Sequence, residues 1–259
     1  SENGAASSVN GFVQSAATGL PVVDAPANGR AHPTGIMGSM GLDGVPGYRS
    51  RQVAIGGDPV RGRRMVLVVE APLARADRLV RQAAVEAGGM VAVARNPVGA
   101  AHVRTHGAPG ALTEAVRLGR AASQALPLGA ARVADALVST LGAGDILAEA
   151  AVRTLERQTE GGYDVGRLEL GPFEVTFWNE YMTVDRDGRR LATFPDLILT
   201  LDLDTGLPLG SADLEAGRVV LLVVVPRQRL LLGAGVRDRR NFAAIEHVLH
   251  RPIIGHAFR

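Results

Sequence analysis

Residues 166–203 read GRLELGPFEVTFWNEYMTVDRDGRRLATFPDLILTLDL, and this stretch decides the fold. Its runs GRLELG, FEVTFWNEYMTV and LATFPDLILTLDL predict closely spaced strands. The Asp- and Gly-rich DRDGRR between two of them is a hairpin signal. Downstream, DLDTGLPLG reads as a second turn and GRVVLLVVVP as a further strand. The pattern changes upstream near LGAGD, so residues 146–259 are expected to form a β-rich domain.

Residues 1–145 have a different rhythm, and a layered α/β domain is expected there. GLPVVDA predicts a buried strand ending on Asp24, MVLVVEA a second and MVAVAR a third. The amphipathic LARADRLVRQAAVEAGG lies between the last two, and a strand, helix, strand order implies an α/β layer. VNGFVQSAATG, ALTEAVRLGRAASQAL and GAARVADALVSTL complete the segment as helices.

Composition excludes several chemistries. The chain has 259 residues, 46% of them hydrophobic, enough for one good core and two smaller ones. It contains no cysteine, which removes disulfides, thiolate metal sites and cysteine nucleophiles. All 28 basic residues are arginine. Schiff-base chemistry, pyridoxal phosphate attachment and the lysine of a Walker loop are therefore absent. The pI is near 9.6 while the net charge is only +2, and the arginines are scattered among 4% aromatic residues. No nucleic-acid partner is expected from that pattern. The sequence shows neither an apolar span of membrane length nor a secretory signal, so a soluble, cytoplasmic protein is expected, with no membrane partner.

Three blocks together resemble the S-methyl-thiohydantoin desulfurase-like family. They are GLPVVDAPANGRAHPT, EAGGMVAVARNPVGAAHVRTHGAPGALTEAVRLGRA and TEGGYDVGRLELGPFEVTFWNEYMTVDRDGRRLATFPDLILTLDLDTGLPL. The most specific correspondence is C-terminal: Asn179 and Glu180 match the family's NE pair, and Pro195, Asp196 and Leu197 its PDL. The resemblance implies an α/β domain joined to a β-barrel-like domain. It also implies a hydrolase acting on a cyclic amide or thio-amide ring such as a hydantoin.

Two departures from that pattern bear on chemistry. Relatives carry about a hundred further N-terminal residues, the size of a small domain. Here the chain starts inside a family motif that Glu2, Gly4 and Ser7 only partly reproduce. In addition, Pro26 stands where relatives follow VVDA with a second acid, and His32-Pro33-Thr34 replaces their Phe-Pro-Glu. Asp24, Gly29 and Arg30 persist.

Ser1 has three readings. It is an ordinary terminus left by methionine removal or trimming, the edge of a cleaved precursor, or the start of a separately encoded subunit. Cleavage would free a hydroxyl nucleophile beside its own α-amine, which titrates near ~8 and can accept the hydroxyl proton. The second and third readings call for an N-terminal companion chain and an oligomer.

The remaining candidates surround the turn ANGRAHPTG. A strand ending there sets polar groups at the C-terminal edge of a sheet, where α/β folds build sites. Asn28 is a candidate oxyanion donor, Arg30 a bidentate carboxylate clamp and His32 a proton shuttle. The structural alternatives are a turn for Asn28, an ion pair with Asp24 for Arg30, and packing for His32. Asn3 and Glu2 join Ser1 as a possible oxyanion donor and orienter, and Asp24, Thr34, Asn179 and Glu180 complete a site for a small-molecule substrate. No metal or other cofactor is expected. His102 and His106 have helical metal-ligand spacing but lack the acid of a metalloprotease motif, so a surface pair is expected.

Overall fold

The structure is a computed structural model that describes residues 3–4 and 7–259. Helix α1 (Ser7–Thr18) leads into residues 19–25. These form no strand, against the expectation for GLPVVDA: Leu20 and Val23 are exposed and Pro21 has no N–H to offer a ladder. With no neighbouring strand to pair, an apolar run has nothing to bury it. The chain then passes through a largely buried irregular loop, residues 26–41, before the first sheet.

That sheet has three strands: β1 (Arg49–Gly56), β2 (Met65–Pro72) and β3 (Val91–Arg95), ordered β2-β1-β3 and antiparallel throughout. Helix α2 (Leu73–Glu86) crosses from β2 to β3, which are parallel to each other with β1 inserted between them. The expected strand, helix, strand unit is thus present but split by a strand the sequence pattern did not announce. Leu73, Ala76, Val80 and Ala83 form the buried stripe of α2. Three further helices follow, α3 (Ala100–His106), α4 (Ala111–Ala125) and α5 (Ala130–Leu141).

From Asp145 to Val225 the chain is almost entirely β. The strands are β4 (Asp145–Glu160), β5 (Tyr163–Leu170), β6 (Phe173–Trp178), β7 (Glu180–Arg186), β8 (Arg189–Thr193), β9 (Leu197–Asp202), β10 (Pro208–Leu209) and β11 (Val219–Val225). They form one antiparallel sheet in the order β10-β9-β11-β4-β5-β6-β7-β8. The sheet curls until β7 meets β9, where the Tyr181 hydroxyl lies 2.9 Å from the Thr200 hydroxyl. It is not closed into a barrel: β8 and the two-residue β10 remain as edges.

The concave face holds the main core, built around Leu168, Phe173, Val175, Phe177, Val184 and Leu222. The opposite face is covered twice. Leu201, Leu221 and Val223 pack on Ala130, Val133 and Ala134 of α5, which explains why β11 is apolar at nearly every position. At the other end Trp178, Met182 and Phe194 pack on Met37 of the loop and on the C-terminal segment. That segment carries α6 (Ala234–Arg237), α7 (Ala243–Leu249) and α8 (Ile254–Ala257). Helix α7 ends with His250 at φ 51, two residues before Pro252. Among the described residues no helix is long and apolar enough to cross a membrane.

Candidate functional site

The loop after Asp24 is where most of the predicted residues meet. Asp24 receives the backbone N–H groups of Leu112 (2.8 Å) and Thr113 (3.3 Å) and the Thr113 hydroxyl (2.6 Å). It therefore caps the N-terminus of α4, and the Thr113 hydrogen bond, opposed by burial, holds its carboxyl below the ordinary range. Asn3 reaches the same helix end, its amide donating to the Ala111 carbonyl at 3.2 Å while its buried Oδ1 has no hydrogen-bond partner. Asn28 is fully buried with both ends of its amide engaged. It donates to the Met37 carbonyl at 2.9 Å and accepts from the Gly233 N–H at 3.0 Å, the geometry of its turn-shaping reading. Beside it, a Cβ on Gly29 would lie 2.2 Å from the Leu231 carbonyl oxygen, so the loop needs glycine there to approach the C-terminal segment.

Arg30 turns the other way. The structure does not pair it with Asp24. Its Nε donates to the Ala31 carbonyl at 3.1 Å and its Nη1 to the carbonyls of Pro195, at 3.0 Å, and Asp196. The guanidinium carbon sits 4.6 Å from the centre of the Phe194 ring. Burial lowers its pKa to about 10, against the opposing pull of the Glu180 and Asp196 carboxylates. Among the described residues Nη2 has no hydrogen-bond partner. Asp196 is fixed by the backbone N–H groups of Thr193 (3.0 Å) and Arg227 (2.9 Å), which holds the carbonyls that grip Arg30.

Glu180 faces this cation. Asn179, at φ 54, makes the one-residue turn between β6 and β7, and its Oδ1 accepts the Asp164 N–H at 2.8 Å. Asparagine tolerates that left-handed backbone better than most residues. The turn delivers Glu180, half-buried, opposite Arg30. Burial pushes its carboxyl up and Arg30 pulls it back, and no hydrogen bond from the described residues contributes.

A second charged group flanks the same loop. Asp77 of α2 lies 3.9 Å from Arg95 at the end of β3, in electrostatic reach of His32, and receives the Gly35 N–H. Burial dominates and raises its carboxyl. His32 donates from Nδ1 to the Thr34 carbonyl at 2.8 Å, and the Thr34 hydroxyl accepts the Met37 N–H at 3.4 Å. Sequence reading missed Asp77 and Arg95, although a signal existed. Asp77 stands four residues after Leu73 and three before Val80, a carboxylate on the apolar stripe of an amphipathic helix.

Ser1 and Glu2 lie outside the described residues. His102 and His106 stack at 4.2 Å on α3, with His102 bonded to the Met40 carbonyl, so the pair is half-buried rather than at the surface. Among the described residues no three His, Asp or Glu side chains are grouped to hold a metal ion. A groove of about 710 Å³ runs past Asp24 along α4, lined by Phe12, Val22, Leu112 and Val116, but its walls include neither Arg30 nor Glu180.

The loop thus carries Arg30 to one half-buried carboxylate and His32, two residues on, to another. The segment sets arginine N–H donors and an imidazole beside carboxylates of β7 and α2. No curated protein and no solved structure matches the chain. The description S-Me-THD-like, C-terminal domain, matches residues 71–234, a span that contains Asp77, Arg95, Asn179, Glu180 and Asp196 and begins beyond the loop of Asp24 to Thr34. That match covers well over half of the sequence, and the chain belongs to the S-Me-THD-like family.

Proposed function

We propose that this chain is a hydrolase or acyl-transfer enzyme acting on a cyclic amide or imide of the hydantoin type. The observation that carries the reading is that Arg30 and Glu180 lie in electrostatic reach of each other, while Arg30 Nη2 and the Glu180 carboxylate have no hydrogen-bond partner among the described residues. The edge of a hydantoin ring presents a carbonyl acceptor beside an N–H donor. An arginine N–H and a carboxylate offer the matching donor and acceptor.

In this reading Arg30 holds the ring carbonyl oxygen and stabilises the negative charge that develops on it. Glu180 takes a proton from the attacking water and returns it to the ring nitrogen as the C–N bond breaks. A carboxyl raised above its ordinary range by burial suits both directions of that transfer. Asp24 and Asn28 act as positioning residues that fix the loop, while His32, with Asp77 behind it, is a second proton-transfer group, carried by the loop.

A second reading, a non-catalytic subunit that completes the site of a companion chain, draws on the commitment of Asp24 and Asn28 to internal hydrogen bonds. Saturation-transfer NMR with hydantoin separates the two. Binding by wild type that is lost in a folded Glu180→Gln variant supports the enzyme. Equal binding, or none, by both proteins favours the subunit.

A further inference from the structure

The three-stranded sheet is covered on one face only. Ser50, Gln52 and Ala54 of β1 point toward α2 and are buried, so Arg49, Arg51, Val53 and Ile55 point the other way. The register sets Val53 beside Val68 and Ala94, and Ile55 beside Val66 and Ala92. These six side chains form one contiguous apolar block. Val66 and Val68 are 59% and 74% exposed, and nothing among the described residues covers them. Isolated exposed valines are common on soluble proteins, but a continuous block across three strands is not.

The geometry points to this face as the contact between two copies of the chain. Size is the first argument. The six apolar residues expose on the order of 500 Å², at the upper end of what a monomer leaves open. With the rim residues Arg49, Arg51, Glu70 and Met90 the face reaches roughly 1,000 Å² per copy, enough for a specific dimer.

Charge is the second. The block occupies one end of the face and a mixed-sign rim the other. Glu70 receives Arg51 at 2.7 Å and Arg49 at 3.4 Å, so the two cations do not stand as a bare like-charge field against a second identical face. Packing about a two-fold axis that passes through the apolar block brings the apolar residues of both copies together. Two such sheets stack about 10 Å apart, a distance their Val and Ile side chains fill. This inference is independent of the chemistry proposed for Arg30 and Glu180.

Sedimentation velocity on the purified chain at micromolar concentration tests it. The expected mass is twice the 27.0 kDa of one subunit. Val68→Glu, a change at an exposed position, should leave the circular dichroism spectrum intact and shift the population to monomer. Val219→Glu, at an exposed position of β11 in the other sheet, controls for added charge alone and should remain dimeric. A wild-type chain that sediments as a monomer, or a dimer indifferent to Val68→Glu, overturns the assignment.

Discussion

Replacing Arg30 by methionine tests whether the loop is held as described. Methionine keeps most of the apolar stem but removes the hydrogen bonds to the carbonyls of Ala31, Pro195 and Asp196. Hydrogen bonds from a charged donor contribute about 1.5–3 kcal/mol each, so roughly 5–9 kcal/mol of interaction disappears. Against this stands the cost of burying the guanidinium. Its pKa falls from 12.5 to about 10, equivalent to about 3 kcal/mol that the variant no longer bears. The balance is a loss of about 2–6 kcal/mol. For a chain of this size that lowers the melting temperature by roughly 4–24 °C. Urea denaturation with a fluorescence readout from Trp178, buried beside Phe194 in the same core, reports the change. A variant within about 1 kcal/mol of wild type would show that Arg30 does not anchor the loop, and the reasoning would fail.

Three further outcomes follow from the same geometry. A Cβ on Gly35 would lie 1.8 Å from Asp77 Oδ1, so Gly35→Ala should cost about 1–3 kcal/mol. Most of that cost should vanish in the Asp77→Ala background, which a double-mutant cycle by urea denaturation measures. Asp24→Ala removes the cap of α4 and should destabilise the chain by about 1–2 kcal/mol. Asp24→Asn should recover much of the loss in the same assay. Burial holds the folded Glu180 carboxyl above its ordinary 4.5, so the folded state keeps this proton more tightly than the unfolded chain. Wild-type stability contributed by this group therefore falls as pH rises from 4.5 toward the folded value, and the penalty persists above it. Glu180→Gln lacks that fall. The stability of the variant minus that of wild type should increase as pH rises from about 4.5 through the folded value, as read by urea midpoints at each pH.

The two sheets were unequally legible in the sequence. In the large one, the apolar runs and the turn at Asp187-Gly188 announce β5 to β9 and β11 directly, whereas β4, DILAEAAVRTLERQTE, carries no apolar run that marks it as a strand. The small one inverts the usual pattern. Its central strand buries Ser50 and Gln52 and exposes Val53 and Ile55, so hydrophobic alternation carries no clean signal. GLPVVDA misleads in the opposite sense, because an apolar run becomes a strand only where another strand pairs with it.

The site divides in the same way. Asp24 and Asn28 act through residues that only the tertiary fold brings near, the end of α4 and Gly233. A local ion pair with Asp24 was the simple sequence-level alternative for Arg30, yet two of its three acceptors lie 165 and 166 positions away. Asn179-Glu180 was legible as a motif, but not that Asn179 supplies the turn and Glu180 the carboxyl. Asp77 was missed because the helix was read for its apolar stripe and not for the acid that interrupts it.

The central claim is that the Arg30 and Glu180 pair opens a cyclic amide. It is tested most directly by incubating the chain with hydantoin and 5-substituted hydantoins and following the ring carbonyl carbons by 13C NMR. Ring opening by wild type, reduced roughly 10²–10⁴-fold in a folded Glu180→Gln variant, is the predicted result. Ring opening at an unchanged rate in that variant, or no opening of any substrate by wild type, would contradict the account.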